Sequence, residues 1–219
     1  MLSEESLELI VQDHLAELEW QAGHGPDFAP GSGERDTWND IVLRGRLRNA
    51  VRNLNPDVPE EYLDQAIGEV ITPKSQSAIA ENRRIHQILV EGYRGIEYID
   101  HEGNFQNPTI NFLSSHPHKN DYLSLNQVTV ANLDGERRFD VVCYVNGMPL
   151  AFIELKKTGA NTSVEGAHNQ LQTYVKEFGM AFRFANIVIP SDDLSAKYGT
   201  PFTPWNHFAP WNVDCLLYT

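Results

Sequence analysis

The feature that most constrains the fold is an apolar run near the middle of the chain, FDVVCYVNGMPLAFIELKK, from Phe139 to Lys157. It is interrupted by Asn146-Gly147, and this dipeptide is the strongest short signal for a two-residue β-hairpin turn. The flanking residues are mostly β-branched, aromatic or aliphatic, as strands require. The run therefore predicts an antiparallel hairpin with strands over 138–145 and 150–156.

Three charged residues interrupt this apolar hairpin: Asp140 in the first strand, and Glu154 and Lys156 in the second. Charge is costly inside a strand core unless it is paired or bound to metal. Glu154 and Lys156 are two residues apart and so share a face. A strict two-residue turn would place Asp140 opposite Ile153, with the two carboxylates on opposite sides of the sheet. One extra residue, in the turn or as a β-bulge, would unite them, and we expect that irregularity.

Two adjacent carboxylates would provide the hard oxygen ligands that Mg²⁺ prefers, and the backbone carbonyl of Leu155 could add a third. Lys156 beside them could orient or activate an attacking water and offset charge that grows on a scissile phosphate. Phosphodiester hydrolysis needs this combination. The alternative is a salt-bridged pair on the exposed face of a hairpin, because an Asp followed by Glu-x-Lys at loose spacing is by itself a weak motif.

The first half of the chain has the apolar spacing of amphipathic helices. The first of these begins near Ser3, a candidate N-cap. Asn55-Pro56 and Thr72-Pro73 then end two further helices, because the residue before proline disfavours helical geometry. The predicted helices lie at about 3–20, 38–54, 59–71 and 77–91. The last three form a helical insertion, at about 36–92, between the first helix and the strands.

From Ile96 onward the hydrophobic period changes toward two, as expected for strands. The predicted strands are IEYID, TINFL, LNQVTVANL, the two hairpin strands and FANIVIP. A helix before the last strand begins at a capping box, Thr162-x-x-Glu165, and ends before Gly179. It places Gln170 and Tyr174 one turn apart on one face, although an ordinary helix flank with Tyr174 in the core is the alternative. The order predicts an α/β domain with a central mixed sheet flanked by helices.

The net charge of −13 argues against a protein that grips nucleic acid over its whole surface. Arginines 44, 46, 48 and 52 fall close together, but a solvated helix face explains them. The sequence has no apolar stretch long enough to span a membrane and no secretory signal, so we expect a cytoplasmic protein. Cys143 and Cys215 fit neither a disulfide framework nor a zinc pattern.

The run RFDVVCYVNGMPLAFIELKK, with NQVTV before it and NQLQTYVKEF after it, resembles the N-terminal nuclease region of the R subunit of type I restriction-modification enzymes. That region belongs to the P-D…(D/E)-x-K nuclease superfamily, whose fold is restriction-endonuclease-like. The similarity extends over nearly the whole chain and is specific, because it includes the hairpin turn and the charged residues together. Phe139 stands where the superfamily motif has proline. This position is not a ligand, so the departure concerns only local strand geometry.

The resemblance implies roles for individual residues. The catalytic set it implies is Asp140, Glu154, Lys156, Gln170 and Tyr174, the last two being a Gln-x-x-x-Tyr element that supports the site and its DNA. Asp140, Glu154 and the Leu155 carbonyl would hold the metal. An acidic residue of the first helix often completes such a site. Glu8 is our choice, and Glu4 and Glu5 are close rivals.

The resemblance also implies Mg²⁺-dependent, sequence-nonspecific cleavage of double-stranded DNA after ATP-driven translocation. R subunits are much larger than this chain and carry two helicase-type ATPase domains. The chain has no G-x-x-x-x-G-K-[ST] phosphate loop, so we expect a single nuclease domain over 1–219, a fragment that lacks the motor and its ATP site. Methyltransferase and specificity subunits would be its partners. The alternatives are a repair or junction nuclease of the same superfamily and a non-catalytic docking domain.

Overall fold

The computed structural model describes residues 3–133, 135–157, 163–192 and 194–211. The α-helices are α1 Glu4–Glu17, α2 Arg44–Leu54, α3 Glu60–Ile71, α4 Ala78–Glu91 and α5 Val164–Glu177. Short 3₁₀ segments cover Gly25–Phe28, Pro117–Lys119, Gly179–Phe184 and Trp205–His207. The main strands are β1 Gln21–His24, β4 Tyr122–Asn132, β5 Gly135–Val145, β6 Met148–Lys156 and β7 Ile187–Asp192. Two-residue strands are β2 Tyr98–Ile99, β3 Phe105–Gln106, β8 Lys197–Tyr198 and β9 Ala209–Pro210.

The central sheet has five strands in the order β1-β4-β5-β6-β7. The three middle strands are antiparallel to one another. The edge strands β1 and β7 pair in parallel with β4 and β6, respectively. The parallel connection from β6 to β7 runs through α5, as a crossover between parallel strands requires. The predicted α/β class and mixed sheet are confirmed, and the arrangement is consistent with a restriction-endonuclease-like fold.

The hairpin between β5 and β6 contains the predicted irregularity. Asn146 and Gly147 both have positive φ, of 53° and 75°, as a type I′ turn needs. The turn itself keeps the two-residue register, and the shift follows between Cys143 and Tyr144, where Leu150 of β6 is the additional residue. The register then runs on through Val141 opposite Ile153. The bulge therefore moves every later residue of β6 by one position.

The sheet packs between two hydrophobic clusters of very different size. The larger one joins α2, α3, α4 and α5 to one face of the sheet, so the helices of the 36–92 region share their core with the strands. The smaller one lies under α1, where Leu7 forms a cluster with Val141, Cys143, Ile153 and Leu155. Fully burying one such aliphatic side chain contributes about 1.5–3 kcal/mol. The smaller cluster fixes α1 against the strands that carry the charged residues.

Helix α1 begins as predicted, since the Ser3 hydroxyl accepts a hydrogen bond from the backbone N–H of Ser6. Its buried face differs from the predicted apolar stripe. Glu8 and Gln12 are buried there, whereas Leu18 is 70% exposed. The Gln12 amide donates to backbone carbonyls of β1 and β4, which explains how a polar residue replaces an apolar one. The polar content of this face is the first structural sign of a site beneath α1.

The arginine cluster of α2 is paired with acidic side chains. The ion pairs are Arg44 with Asp36 and Asp40, Arg46 with Asp121, Arg48 with Asp64, and Arg52 with Glu60. Such surface pairs contribute about 0–1 kcal/mol each. These arginines are therefore already engaged within the fold, in agreement with their interpretation as a helix face.

Several predicted boundaries were wrong. The second helix begins at Arg44 rather than near residue 38. In the described chain, segment 109–113 has an isolated bridge from Ile110 to Tyr93 instead of a strand. Strand β1 was not predicted at all. Thr162 of the predicted capping box lies outside the described residues, and the α5 N-cap is Ser163, whose hydroxyl accepts from the N–H of Gly166. The helices in the described ranges are all too short or too polar to cross a membrane.

Candidate active site

Asp140 lies where the β5–β6 ladder ends. The last paired residues are Val141 and Ile153, and the same register extended by one residue places Asp140 opposite Glu154. The Oδ2 atom of Asp140 accepts a hydrogen bond of 2.8 Å from the backbone N–H of Leu155. The bulge therefore brings the carboxylate of β5 to the acidic segment of β6, as the sequence argument requires.

Glu154 is almost completely buried, with 1% of its surface exposed. Its Oε1 atom has no hydrogen-bond partner among the residues that the structure describes. The pKa of Glu154 is raised to about 9, chiefly by burial and next by the charge of Asp140, while Lys156 lowers it in part. Burial disfavours the charged form of a carboxyl unless a positive group lies beside it. A cation bound here would therefore stabilise the ionised form of this side chain.

Lys156 links the two sides of the site. Its Nζ atom lies 3.6 Å from Oε1 of Glu154 and 3.7 Å from Oε1 of Glu4 on α1. Both distances are ion-pair distances that are longer than a good hydrogen bond. The amine thus lies beside the buried carboxylate and remains accessible on its other side, where its side chain is 17% exposed.

Two further acids share this environment. Burial raises the pKa of Asp140, although the Leu155 N–H and the charge of Lys156 lower it in part. Burial also raises the pKa of Glu8, and the negative charge of Asp140 adds to that effect. The mutual repulsion of these carboxylates means that each would be stabilised by the same bound cation.

The structure distinguishes the three acidic candidates of α1. Glu8 is 4% exposed and electrostatically coupled to Asp140. Glu4 is less buried and contacts Lys156 instead. Glu5 lines a separate surface cavity with Leu9 and other residues. Glu8 is thus the most buried of the three and interacts electrostatically with Asp140, while the charge of Glu4 acts on both Asp140 and Glu154.

Gln170 and Tyr174 lie on α5, which packs on the larger core, whereas α1 packs on the smaller one. The Gln170 amide donates a 2.5 Å hydrogen bond to the Tyr174 hydroxyl. Burial raises the pKa of Tyr174 to about 12, and the charge of Glu154 is the next contribution. The Tyr174 ring also packs edge-on against Phe139, with centroids 5.4 Å apart. Tyr174 thus belongs to the core and to the surroundings of the carboxylates at once.

Phe139, at the position of the motif proline, is a core residue. Its ring is 1% exposed and meets Phe152 and Phe182 edge-on, with centroids 5.1 and 5.5 Å apart. Its place in the ladder is regular, opposite Val128 of β4. An aromatic residue here anchors the start of the apolar part of β5 through edge-to-face contacts.

The donor set fits a hard divalent cation. It comprises the Asp140 and Glu154 carboxylates, the neighbouring Glu8 and backbone carbonyls such as that of Leu155, and Mg²⁺ favours oxygen ligands of this kind. The buried Oε1 of Glu154, with no hydrogen bond within the described ranges, is the observation that supports the fit. In those ranges no three His, Cys, Asp or Glu side chains are gathered closely enough to hold a metal ion by themselves. A cation held by Asp140 and Glu154 would therefore need waters or substrate oxygens as further ligands.

Sequence reasoning missed the amides next to these acids. Asn126 donates a 3.3 Å hydrogen bond from Nδ2 to Oε2 of Glu8, and its Oδ1 lies 2.9 Å from Nδ1 of His24. Gln127 has a left-handed backbone, with φ of 53°. Both amides belong to the NQVTV segment, but its alternating pattern indicates only a strand and contains no sign of their contacts.

Comparison with known proteins matches nearly the whole chain to one protein family. The family model described as type I restriction enzyme R protein N terminus matches residues 1–207. The HindI endonuclease subunit of a type I restriction enzyme from Haemophilus influenzae is 28% identical over 218 residues, which are 97% of this chain and 20% of that protein. A protein from Methanocaldococcus jannaschii named for the type I restriction enzyme MjaIXP endonuclease subunit is 27% identical over 201 residues, 90% of this chain and 19% of that protein. The chain spans about a fifth of the length of these relatives.

Proposed function

Because the chain belongs to the family of type I restriction enzyme R protein N termini, we propose that it is the Mg²⁺-dependent nuclease domain of such a subunit. The reaction is hydrolysis of phosphodiester bonds in double-stranded DNA, without sequence preference of its own. The observation that carries the proposal is the Glu154 carboxyl, which is buried next to Asp140 and Lys156 and has a pKa raised to about 9. A purely structural hairpin gains nothing from such a group.

Each residue has a role that its surroundings support. Asp140 and Glu154, with the Leu155 carbonyl and Glu8, would hold the metal ion, which supplies Lewis-acid polarisation of a phosphate oxygen and a more acidic water. Lys156 orients the attacking water and offsets negative charge on the phosphate. The Leu155 N–H fixes the Asp140 carboxylate, at 2.8 Å. Gln170 and Tyr174 support the site from α5 and face the DNA.

The acidity of the chain is compatible with this role. A net charge of −13 gives little general affinity for DNA, and the arginines of α2 are engaged in ion pairs. We propose that the remaining part of the subunit, an ATP-driven motor, and the methyltransferase and specificity subunits hold the DNA. Tethering then raises the local concentration of DNA at the nuclease site without a basic surface on the domain itself.

Metal binding tests the proposal directly. We expect isothermal titration of the chain with Mn²⁺ to show binding that Asp140→Ala and Glu154→Gln abolish, because each substitution removes a carboxylate ligand. Glu102→Gln, at an exposed position, is the control and should bind as the parent chain does. Binding that is unchanged in Glu154→Gln, or a parent chain that does not bind Mn²⁺ at all, would contradict the proposed function.

A further inference from the structure

The alternation of side chains between the two faces of the sheet is interrupted in β4 and in β5 at neighbouring positions. In β4, Leu125 and Val128 both belong to the larger core, although strict alternation puts residues three apart on opposite sides. In β5, Phe139 and Val142 do the same. The two strands therefore turn over together, and Asp140 lies at this turning point.

The turning point in β4 is Gln127. The ladder passes from Asn126 opposite Val141 to Val128 opposite Phe139, so that Gln127 faces Asp140 between these pairs. Its φ of 53° is a left-handed conformation that glutamine rarely adopts. Backbone strain of this kind persists where the surrounding structure imposes it, and it concentrates at functional sites.

Gly25 packs against the backbone of this kink. A Cβ atom at Gly25 would lie 2.5 Å from the carbonyl oxygen of Gln127 and 2.7 Å from that of Asn126. Only glycine permits so close an approach of two backbones. The segment after β1 is thus packed directly against the kink and fixes its position.

The kink places two side-chain amides at Glu8. Asn126 donates to Oε2 of Glu8 at 3.3 Å, and Asn126 is itself held by His24 at 2.9 Å. Gln127 is the neighbouring residue at the kink, opposite Asp140, and its amide together with Asn126 lowers the pKa of Glu8, as does the charge of Arg138. The hydrogen bond that holds Glu8 thus comes from a neutral amide.

Neutral donors are the appropriate choice beside a cation site. An amide can hold one carboxylate oxygen in place and leave the negative charge uncompensated, whereas a lysine or arginine would compete with the metal ion. We propose that Asn126 and Gln127 are positioning residues which, through the left-handed kink, orient Glu8 toward Asp140 for binding of a divalent cation. This inference rests on the proposed function and adds residues to the same site.

The first test compares two buried amides that both attach α1 to the sheet. Asn126→Ala removes the donor to Glu8, and we expect the dissociation constant for Mn²⁺ to rise about tenfold, as is usual for outer partners of metal ligands. Gln12→Ala is the matched control. The Gln12 amide donates to the carbonyls of Gly23 and Ser124, at 2.8 and 3.2 Å. Its loss should leave Mn²⁺ affinity within about twofold of the parent.

Gln127→Gly separates positioning from simple packing. Glycine adopts positive φ without strain, so the thermal midpoint should stay equal or rise, while loss of the amide should weaken Mn²⁺ binding. A merely structural role would change stability and affinity in the same direction. This variant also keeps the test decisive if Asn126→Ala folds poorly.

A double variant ties the effect to Glu8. In a Glu8→Gln background, Asn126→Ala should change Mn²⁺ affinity by less than about twofold, because the group that it positions is gone. If the parent chain binds Mn²⁺ and both Asn126→Ala and Gln127→Gly bind it with the same affinity, the positioning role is refuted while the proposed function stands. A parent chain without Mn²⁺ binding would refute the proposed function, and the positioning role with it.

Discussion

Glu81 and Glu154 each have 1% of their surface exposed, yet their pKa values are shifted in opposite directions, and Glu154 lies deeper in the fold, where burial disfavours its charged form more strongly. Burial alone would raise the pKa of Glu81, but hydrogen bonds from Arg84 and from the N–H of Lys74 lower it below its ordinary value. The distances are 2.7 Å to Nη2 of Arg84 and 3.0 Å to the Lys74 nitrogen. The pKa of Glu154 is raised to about 9 instead.

The difference lies in what the fold supplies to each carboxylate. Arg84 also donates to the carbonyl of Val70, so Glu81 and Arg84 together join the end of α3 to α4. Within the described part of the chain, the cationic partner of Glu154 is the amine of Lys156, at 3.6 Å, and the charge of Asp140 acts against it. A buried carboxylate that is completed internally stabilises the fold, whereas one left incomplete needs a cation from outside. The predictions below test this contrast.

The largest expected effect is on catalysis by Glu154→Gln. The substitution keeps the size of the side chain and removes a metal ligand, so cleavage of DNA should fall about a thousandfold or more. The free energy of unfolding of the metal-free chain should stay the same or rise at neutral pH, because an incomplete buried carboxyl is removed. Cleavage is measured in the intact subunit with its partner subunits and ATP, and stability by denaturant unfolding of the chain.

Glu81→Gln provides the matched comparison for that experiment. It should leave the cleavage rate per folded molecule unchanged, because Glu81 is completed by Arg84 and Lys74 at the junction of α3 and α4. Equal loss of cleavage in the two variants would show that burial of a glutamate, rather than its incomplete coordination, is what matters.

The second effect is on stability. Glu81→Ala should lower the free energy of unfolding by about 3 kcal/mol, because it leaves Arg84 and the Lys74 N–H without their acceptor in a partly buried place. Glu102→Ala, at an exposed position, should change it by less than about 0.5 kcal/mol. A small effect of Glu81→Ala would mean that water replaces the carboxylate easily, and the contrast with Glu154 would weaken.

The hairpin that carries the candidate site could be predicted because its signals are local. The Asn146-Gly147 turn fixes the hairpin. With a regular two-residue turn Asp140 would lie opposite Ile153, so one extra residue is needed to place Asp140 and Glu154 on the same face. The structure confirms the irregularity and identifies it as a bulge at Leu150. Which of several residues forms the bulge depends on packing against the core, and the hairpin sequence does not contain that information.

The parts that could not be predicted depend on contacts between distant segments. Asn126 meets Glu8 across 118 positions of sequence, and Gln12 meets Ser124 across 112. Neither pair has a periodic or spacing signal. Strand β1 was missed for the same reason: four residues with a largely exposed pattern become a strand only because β4 lies beside them.

The third effect concerns pH. The pKa of Glu154 is about 9 in the folded chain and near the ordinary 4.5 when unfolded. Between these values the unfolded chain releases a proton that the folded chain retains, so stability is fully present below pH 4.5 and is lost as pH rises toward 9. One proton corresponds to a slope of at most about 1.4 kcal/mol per pH unit. Unfolding of the metal-free chain at several pH values measures it.

Glu154→Gln isolates this slope from other titrations. The groups that face Glu154 are Asp140 of β5, Lys156 of its own strand, Glu4 of α1 and Tyr174 of α5. All four remain in the variant, so the difference between the two stability curves reports Glu154. Glu81 should show the reverse sign, because its lowered pKa adds stability above 4.5 that is lost in acid. Parallel curves for the parent chain and Glu154→Gln would disprove the raised pKa.

The smallest effect is expected at Tyr174 of α5, on whose pKa the charge of Glu154 acts. Tyr174→Phe keeps the ring against Phe139 but removes the hydroxyl that accepts from Gln170. Cleavage should fall about tenfold, as for other outer partners of a metal site, with about 1 kcal/mol of stability lost. Thr173→Ala, which removes an exposed hydrogen bond to the Asn169 carbonyl on the same helix, is the control. If both variants cleave equally well, Tyr174 is a core residue only, and the site depends on the strands and α1 alone.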